Sequence, residues 1–100
     1  MEDTLKGNQR AALMKQTHHL QPVAVVGKHG LTPEVKEHVD RELQQHELIK
    51  VRFVDYKEVR REITEELSRE LKALLVAVIG NVGILYRPAD NPEDRRITLP

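Results

Sequence analysis

Residues 22–34 read Pro-Val-Ala-Val-Val-Gly-Lys-His-Gly-Leu-Thr-Pro-Glu, and the types and spacing of Gly27, Lys28, His29 and Gly30 suit the holding of an anion on the main chain. The two glycines allow positive φ and lack the Cβ that would keep a ligand off the backbone. Lys28 is a compact charge suited to phosphate, and His29 can stack or hydrogen-bond in a pH-dependent contact. Thr32 followed by Pro33 marks a helix start, because Thr accepts a bond from a free N–H and Pro tolerates the first helical position. Unpaired N–H groups at such a helix end attract phosphate. The loop therefore fits a phosphodiester backbone, with a glycine turn needed only for steric reasons as the competing reading.

Other chemistries fit the spacing poorly. A P-loop needs four residues between its glycines and then Lys-Ser/Thr, and a dinucleotide fingerprint needs a third glycine and a suitably placed acidic residue. Of the five histidines, His18 and His19 are adjacent and point apart on a helix, while His38 and His46 lack a carboxylate pair to complete a metal site. Ser68, the only serine, sits in a helical stretch without the strained turn of a hydrolase nucleophile. The cluster Glu62, Glu65, Glu66 and Glu70 reads as a solvated helix face. The expectation is a non-enzyme with no metal, no cofactor and no small-molecule substrate.

The elements that must position the loop follow from periodicity. A weak helical pattern runs from about Thr4 to His19, interrupted by Gly7 and closed by Pro22. Val23–Val26 is a short apolar run that reads as a buried strand. After the loop, Val35, Val39 and Leu43 fall on one helix face. Ile49, Val51 and Phe53 alternate with Lys50, Arg52 and Val54, giving a strand with a charged side. Lys57–Leu74 reads as one helix carrying the stripe Val59, Ile63, Leu67, Leu71 and Leu74. Leu75–Ile79 and Ile84–Tyr86 form a hairpin around the Gly80–Gly83 turn. Residues 89–96 are a polar loop, with Ile97–Leu99 returning to the sheet edge. The order α-β-α-β-α-β-β predicts an α/β domain with a mixed four-stranded sheet, parallel where crossover helices join strands and antiparallel at the terminal hairpin.

One hundred residues, 39% of them hydrophobic, fit a single domain over 1–100, with a core of about 5–88 and a polar tail at 89–100. The absence of cysteine excludes disulfides and thiolate chemistry and agrees with a reducing cytoplasm. No run reaches the roughly 18 apolar residues of a membrane span, and Met1–Thr4 opens no signal segment. Sixteen basic and sixteen acidic residues balance overall. Through residue 31, however, Lys6, Arg10, Lys15 and Lys28 face only Glu2 and Asp3, whereas residues 32–73 carry nine basic against eleven acidic. A local basic face can bind phosphate on a neutral protein, with strong salt dependence. A monomer is expected, since no exposed apolar helix face demands a partner.

Several blocks occur together and in order: His18-His19-Leu20 before Pro22-Val23, Gly27-Lys28-His29-Gly30-Leu31-Thr32, His46-Glu47-Leu48-Ile49-Lys50-Val51, Val78-Ile79-Gly80, and Leu85-Tyr86-Arg87-Pro88. In these the sequence resembles the CRM domain (chloroplast RNA splicing and ribosome maturation), most closely its stand-alone bacterial members of the YhbY type. The resemblance implies a fold like the C-terminal domain of translation initiation factor 3. It also implies RNA binding through the Gly-x-x-Gly loop and association with precursors of the large ribosomal subunit.

The candidate RNA contacts are then Gly27, Lys28, His29 and Gly30, with Lys15, Arg10 and Lys6 on the first helix, and Lys50, Arg52 and Arg87 as an extension. Phe53, Tyr56 and Tyr86, the only aromatics, do not form a paired stacking platform. Recognition would rest on phosphate, ribose and shape, which favours structured large-subunit ribosomal RNA or pre-50S particles. The alternative is a protein-interaction module using the acidic third-helix face or a sheet edge.

Overall fold

Cap and turn chemistry sets the element boundaries in the computed structural model, which describes residues 5–100. Thr32 caps α2 (Pro33–His46) through a 3.2 Å bond from the Val35 amide to its hydroxyl, with Pro33 in the first turn. The remaining elements are α1 (Gly7–Thr17), β1 (Pro22–Val26), β2 (Leu48–Phe53), α3 (Arg60–Glu70), β3 (Leu74–Ile79) and β4 (Val82–Tyr86). The order and the mixed four-stranded sheet are those expected. Across the sheet the strands run β1-β2-β4-β3, with β1 parallel to β2 and β4 antiparallel to both neighbours. Strands β1, β2 and β3 therefore all point the same way, and β4 is inserted against them.

Two apolar clusters sandwich the sheet. Val39 and Leu43 of α2 and Leu67 of α3 pack on Ala24, Val26, Ile49, Val51, Phe53 and Leu85. On the opposite face, Leu5 and Leu13 pack on Leu48, Val76, Ile84 and Tyr86, with Ile97 and Leu99 of the tail added. Each fully buried Leu, Val or Phe side chain contributes about 1.5–3 kcal/mol through removal of apolar surface from water. Gly83, expected in the turn, lies in β4 opposite Val51 because α3 comes too close for a side chain: a Cβ there would meet Thr64 Oγ1 at 2.8 Å. The hairpin turn shortens to Gly80-Asn81, with Gly80 at φ 56°.

Several expected boundaries move for local reasons. Thr4 lies outside the described residues, and Gly7 opens α1 rather than interrupting it. Lys57–Val59 is a separate 3₁₀ turn, and α3 ends at Glu70, so Val59 and Leu74 leave the stripe. The stop is a Schellman motif in which the Ala73 amide donates to Ser68 O at 2.8 Å and Lys72 takes φ 56°. A lysine in that position gives no glycine signal to read. Strand β1 is buried on one face only: Ala24 and Val26 are covered, whereas Val25 is 44% exposed. Ile97–Leu99 forms no strand; it packs against the α1-side cluster.

Buried Glu47, at φ 63°, ties the tail to this frame. Its carboxylate accepts from the amides of Ala89 at 2.7 Å, Arg96 at 2.7 Å and Ile97 at 3.2 Å. Between the crossover helices, Lys36 Nζ donates to Glu70 at 2.8 Å, and that bond raises the lysine pKa and lowers that of the carboxylate.

Burial, with the Glu47 carboxylate adding to it, holds the Tyr86 hydroxyl above its ordinary pKa of 10.0. The unfolded chain releases this proton at the ordinary value and the folded chain only above it. Stability is thus full below that value and falls as pH rises through the window between the two. Urea midpoints measured from about pH 8 to about pH 11 are expected to decline less in Tyr86→Phe than in the wild type.

Candidate nucleic-acid interface

Because β1, β2 and β3 are co-directional, the connections that leave their carboxyl ends gather at one end of the sheet, where open α/β sheets place their ligands. These are the Gly27–Gly30 loop after β1, residues 54–59 after β2 and the Gly80-Asn81 turn after β3. The loop folds on itself. Gly30 N donates to Gly27 O at 3.0 Å, and Thr32 N donates to Gly30 O at 3.1 Å. Gly30 adopts φ 71°, so a side chain there would be strained. Gly27 has no positive φ, and a Cβ at that position would meet only Val54 Cγ2 at 3.9 Å, an ordinary contact. The folded chain itself does not require glycine at 27.

The amides of Lys28 and His29 have no hydrogen-bond acceptor among the described residues, and both side chains are exposed. Two free N–H groups beside an exposed cation suit phosphate oxygens. The Tyr56 hydroxyl donates to the Lys28 carbonyl from the neighbouring connection.

The other expected contact residues divide. Arg52 is exposed and Lys50 half-buried on the face shared with α1, and among the described residues neither has an ion-pair partner. Lys6, at the N-cap of α1, and Lys15 on the helix are exposed, Lys15 turned about 200° around the helix from buried Leu13. No hydrogen bond or ion pair joins either to the loop. Arg10 and Arg87 are engaged within the protein. Arg10 Nη1 donates to the Leu75 carbonyl at 3.1 Å and to that of Val76, at the bulge of edge strand β3. Arg87 donates to Asp40 Oδ1 and Leu71 O, both at 2.8 Å, and to Asp40 O at 3.1 Å. Both guanidinium groups satisfy protein acceptors that lie far away in sequence.

A profile of the CRS1/YhbY (CRM) domain matches residues 5–87. The chain belongs to this family. A Haemophilus influenzae protein named as RNA-binding is 39% identical over 98 residues, covering 97% of this chain and 96% of its own. YqeI of Bacillus subtilis, named provisionally as RNA-binding, is 33% identical over 96% of this chain and 99% of its own. A Staphylococcus aureus protein, assigned provisionally to RNA binding, has a solution structure that superposes with a TM-score of 0.81 at 30% identity, covering 97% of this chain and all of that one. Among the described residues, no helix is long and apolar enough to cross a membrane.

In this CRM domain, Tyr56 is the residue bonded to the candidate loop that sequence reasoning passed over. It occupies φ 61°, and its amide donates to Asp55 Oδ1 at 2.7 Å. Its ring lies under Gly30, where a Cβ would meet the hydroxyl oxygen at 3.6 Å. The Asp before it was the readable signal, since Asp bonds nearby backbone in turns. The pairing with Lys28, 28 positions away, was not readable. Tyr56→Phe keeps the ring and deletes the bond, which is expected to cost about 1 kcal/mol in denaturant unfolding. Amide hydrogen exchange at residues 28–30 is expected to accelerate, with exchange in β2 and β4 unchanged.

Proposed function

We propose that this CRM domain binds structured RNA of the large ribosomal subunit and its precursor particles, and assists their assembly in the cytoplasm. Family membership and the names of its relatives support RNA as the ligand class. The observation that carries the site is Gly27: a glycine for which the fold has no steric use, next to two amides without partners, is accounted for by close approach of a ligand to the backbone. Gly27 and Gly30 admit the phosphodiester, the Lys28 and His29 amides donate to it, and the Lys28 ammonium neutralises it. Arg52 and Lys50 extend the cationic surface along β2, and Lys15 and Lys6 add long-range attraction. Arg10 and Arg87 contribute by holding the scaffold. Contacts of this kind position an RNA without reading its bases, so affinity falls steeply with salt.

The test is the affinity of full-length protein for a structured large-subunit ribosomal RNA fragment. A Lys28→Ala, Gly30→Asp variant is compared with a Glu62→Lys, Glu65→Lys variant, with thermal melts confirming the fold of each. The loop variant is expected to bind at least about tenfold more weakly, and the helix variant as well as wild type or better. Equal binding by the loop variant would move the site elsewhere. Failure of the wild type to bind the RNA would favour the interaction-module reading.

A further inference from the structure

We infer that the open half of the α1-side sheet face is a second contact surface for the same RNA, one that takes unpaired nucleotides. The inference rests on the RNA-binding reading above and adds a substrate class to it. Register places Val25 beside Arg52, Arg52 beside Val82, and Val82 beside Ile79, one residue from each strand in a row across the sheet. Three inter-strand steps make that row about 14 Å long. Helix α1 covers only the other half of this face, where Leu48, Tyr86 and Leu74 pair. Val25 is consequently 44% exposed and Ile79 55% exposed.

The remaining large exposed hydrophobics among the described residues, Val54 and Val59, lie in the connection after β2, at the same end of the sheet. Val54 Cγ2 lies 3.9 Å from the Cβ position at Gly27, so the connection after β2 touches the loop, and Val25 of the row stands two residues before Gly27. Singly exposed apolar residues need no explanation, but Val25 and Ile79 stand at the two ends of one row that holds Arg52 and half-buried Val82 between them, and Val25 leads into the proposed phosphate-binding loop.

Charge decides the occupant. Arg52 stands in the middle of the row with no carboxylate within ion-pair distance among the described residues, Lys50 lies two residues before it, and Lys28 is on the adjoining loop. An apolar protein surface laid on this row would bury the guanidinium unpaired, at high cost. RNA supplies phosphates for the cations and flat base faces, on which a guanidinium stacks and aliphatic side chains pack. Bases inside a duplex hide those faces, so the row fits a segment that is unpaired next to a structured region.

The experiment measures binding of full-length protein to a blunt RNA hairpin and to the same hairpin carrying an unpaired overhang of about five nucleotides. Wild type is compared with Val25→Ser, Ile79→Ser, with Val25→Thr, Ile79→Thr, which retains strand propensity, and with the Lys28→Ala, Gly30→Asp loop variant. Wild type is expected to prefer the overhang RNA by about tenfold, and both row variants to lose that preference while binding the blunt hairpin as wild type does. Equal affinity of wild type for the two RNAs overturns the inference, as does a preference that persists in the row variants. If the preference persists there while the loop variant loses both RNAs, the inference fails and the loop reading stands. If the loop variant binds both RNAs normally, the loop reading itself fails.

Discussion

Parallel pairing of β1 with β2, which sets Val26 beside Phe53, is the constraint from which the rest of the site follows. A parallel neighbour can be reached only by a crossover, so α2 must start where β1 ends and return the chain to the opposite end of the sheet. That requirement puts a strand-to-helix loop at the carboxyl end of β1 and the exit of β2 next to it. The Tyr56 hydroxyl can bond the Lys28 carbonyl because the two strands end side by side. An antiparallel arrangement would have placed these residues at opposite ends of the sheet.

Two sets of charged residues differ in what holds them. One group is held by protein acceptors: Arg10 blunts the β3 edge, Arg87 joins α2 to the end of α3, and the buried Glu47 carboxylate gathers three tail amides. These groups repay their desolvation through several hydrogen bonds each. The other group, Lys28 after β1, Arg52 near the end of β2 and Lys50 at the middle of β2, has no ion pair among the described residues. Net neutrality of the whole chain conceals this division.

Local chemistry was readable in the sequence. Thr32-Pro33 marked the start of α2, the four-residue spacing of Val35, Val39 and Leu43 marked its buried side, and alternation at Ile49, Val51 and Phe53 gave the buried face of β2. The loop itself was legible because glycine spacing and cap residues are adjacent. What escaped depends on partners distant in sequence or on backbone states that side-chain type does not announce. Lys72 ends α3 in a left-handed conformation usually given to glycine, and Arg10 meets carbonyls 65 and 66 residues away. The exposure of Val25 was hidden for a different reason: an apolar run states that a strand belongs in a sheet, but only the length and placement of α1 decide which part of the second face is covered.

In the proposed interface, RNA meets the carboxyl end of the parallel strands through the amides of Lys28 and His29. A titration of isotopically labelled protein with a structured large-subunit ribosomal RNA fragment, followed by amide chemical shifts, tests it most directly. The largest changes are expected at residues 27–31, with changes at Arg52 and little response from Glu62–Glu70 or the tail beyond Ala89. Changes concentrated on α3 or on the tail, with the Lys28 and His29 amides unmoved, would contradict it.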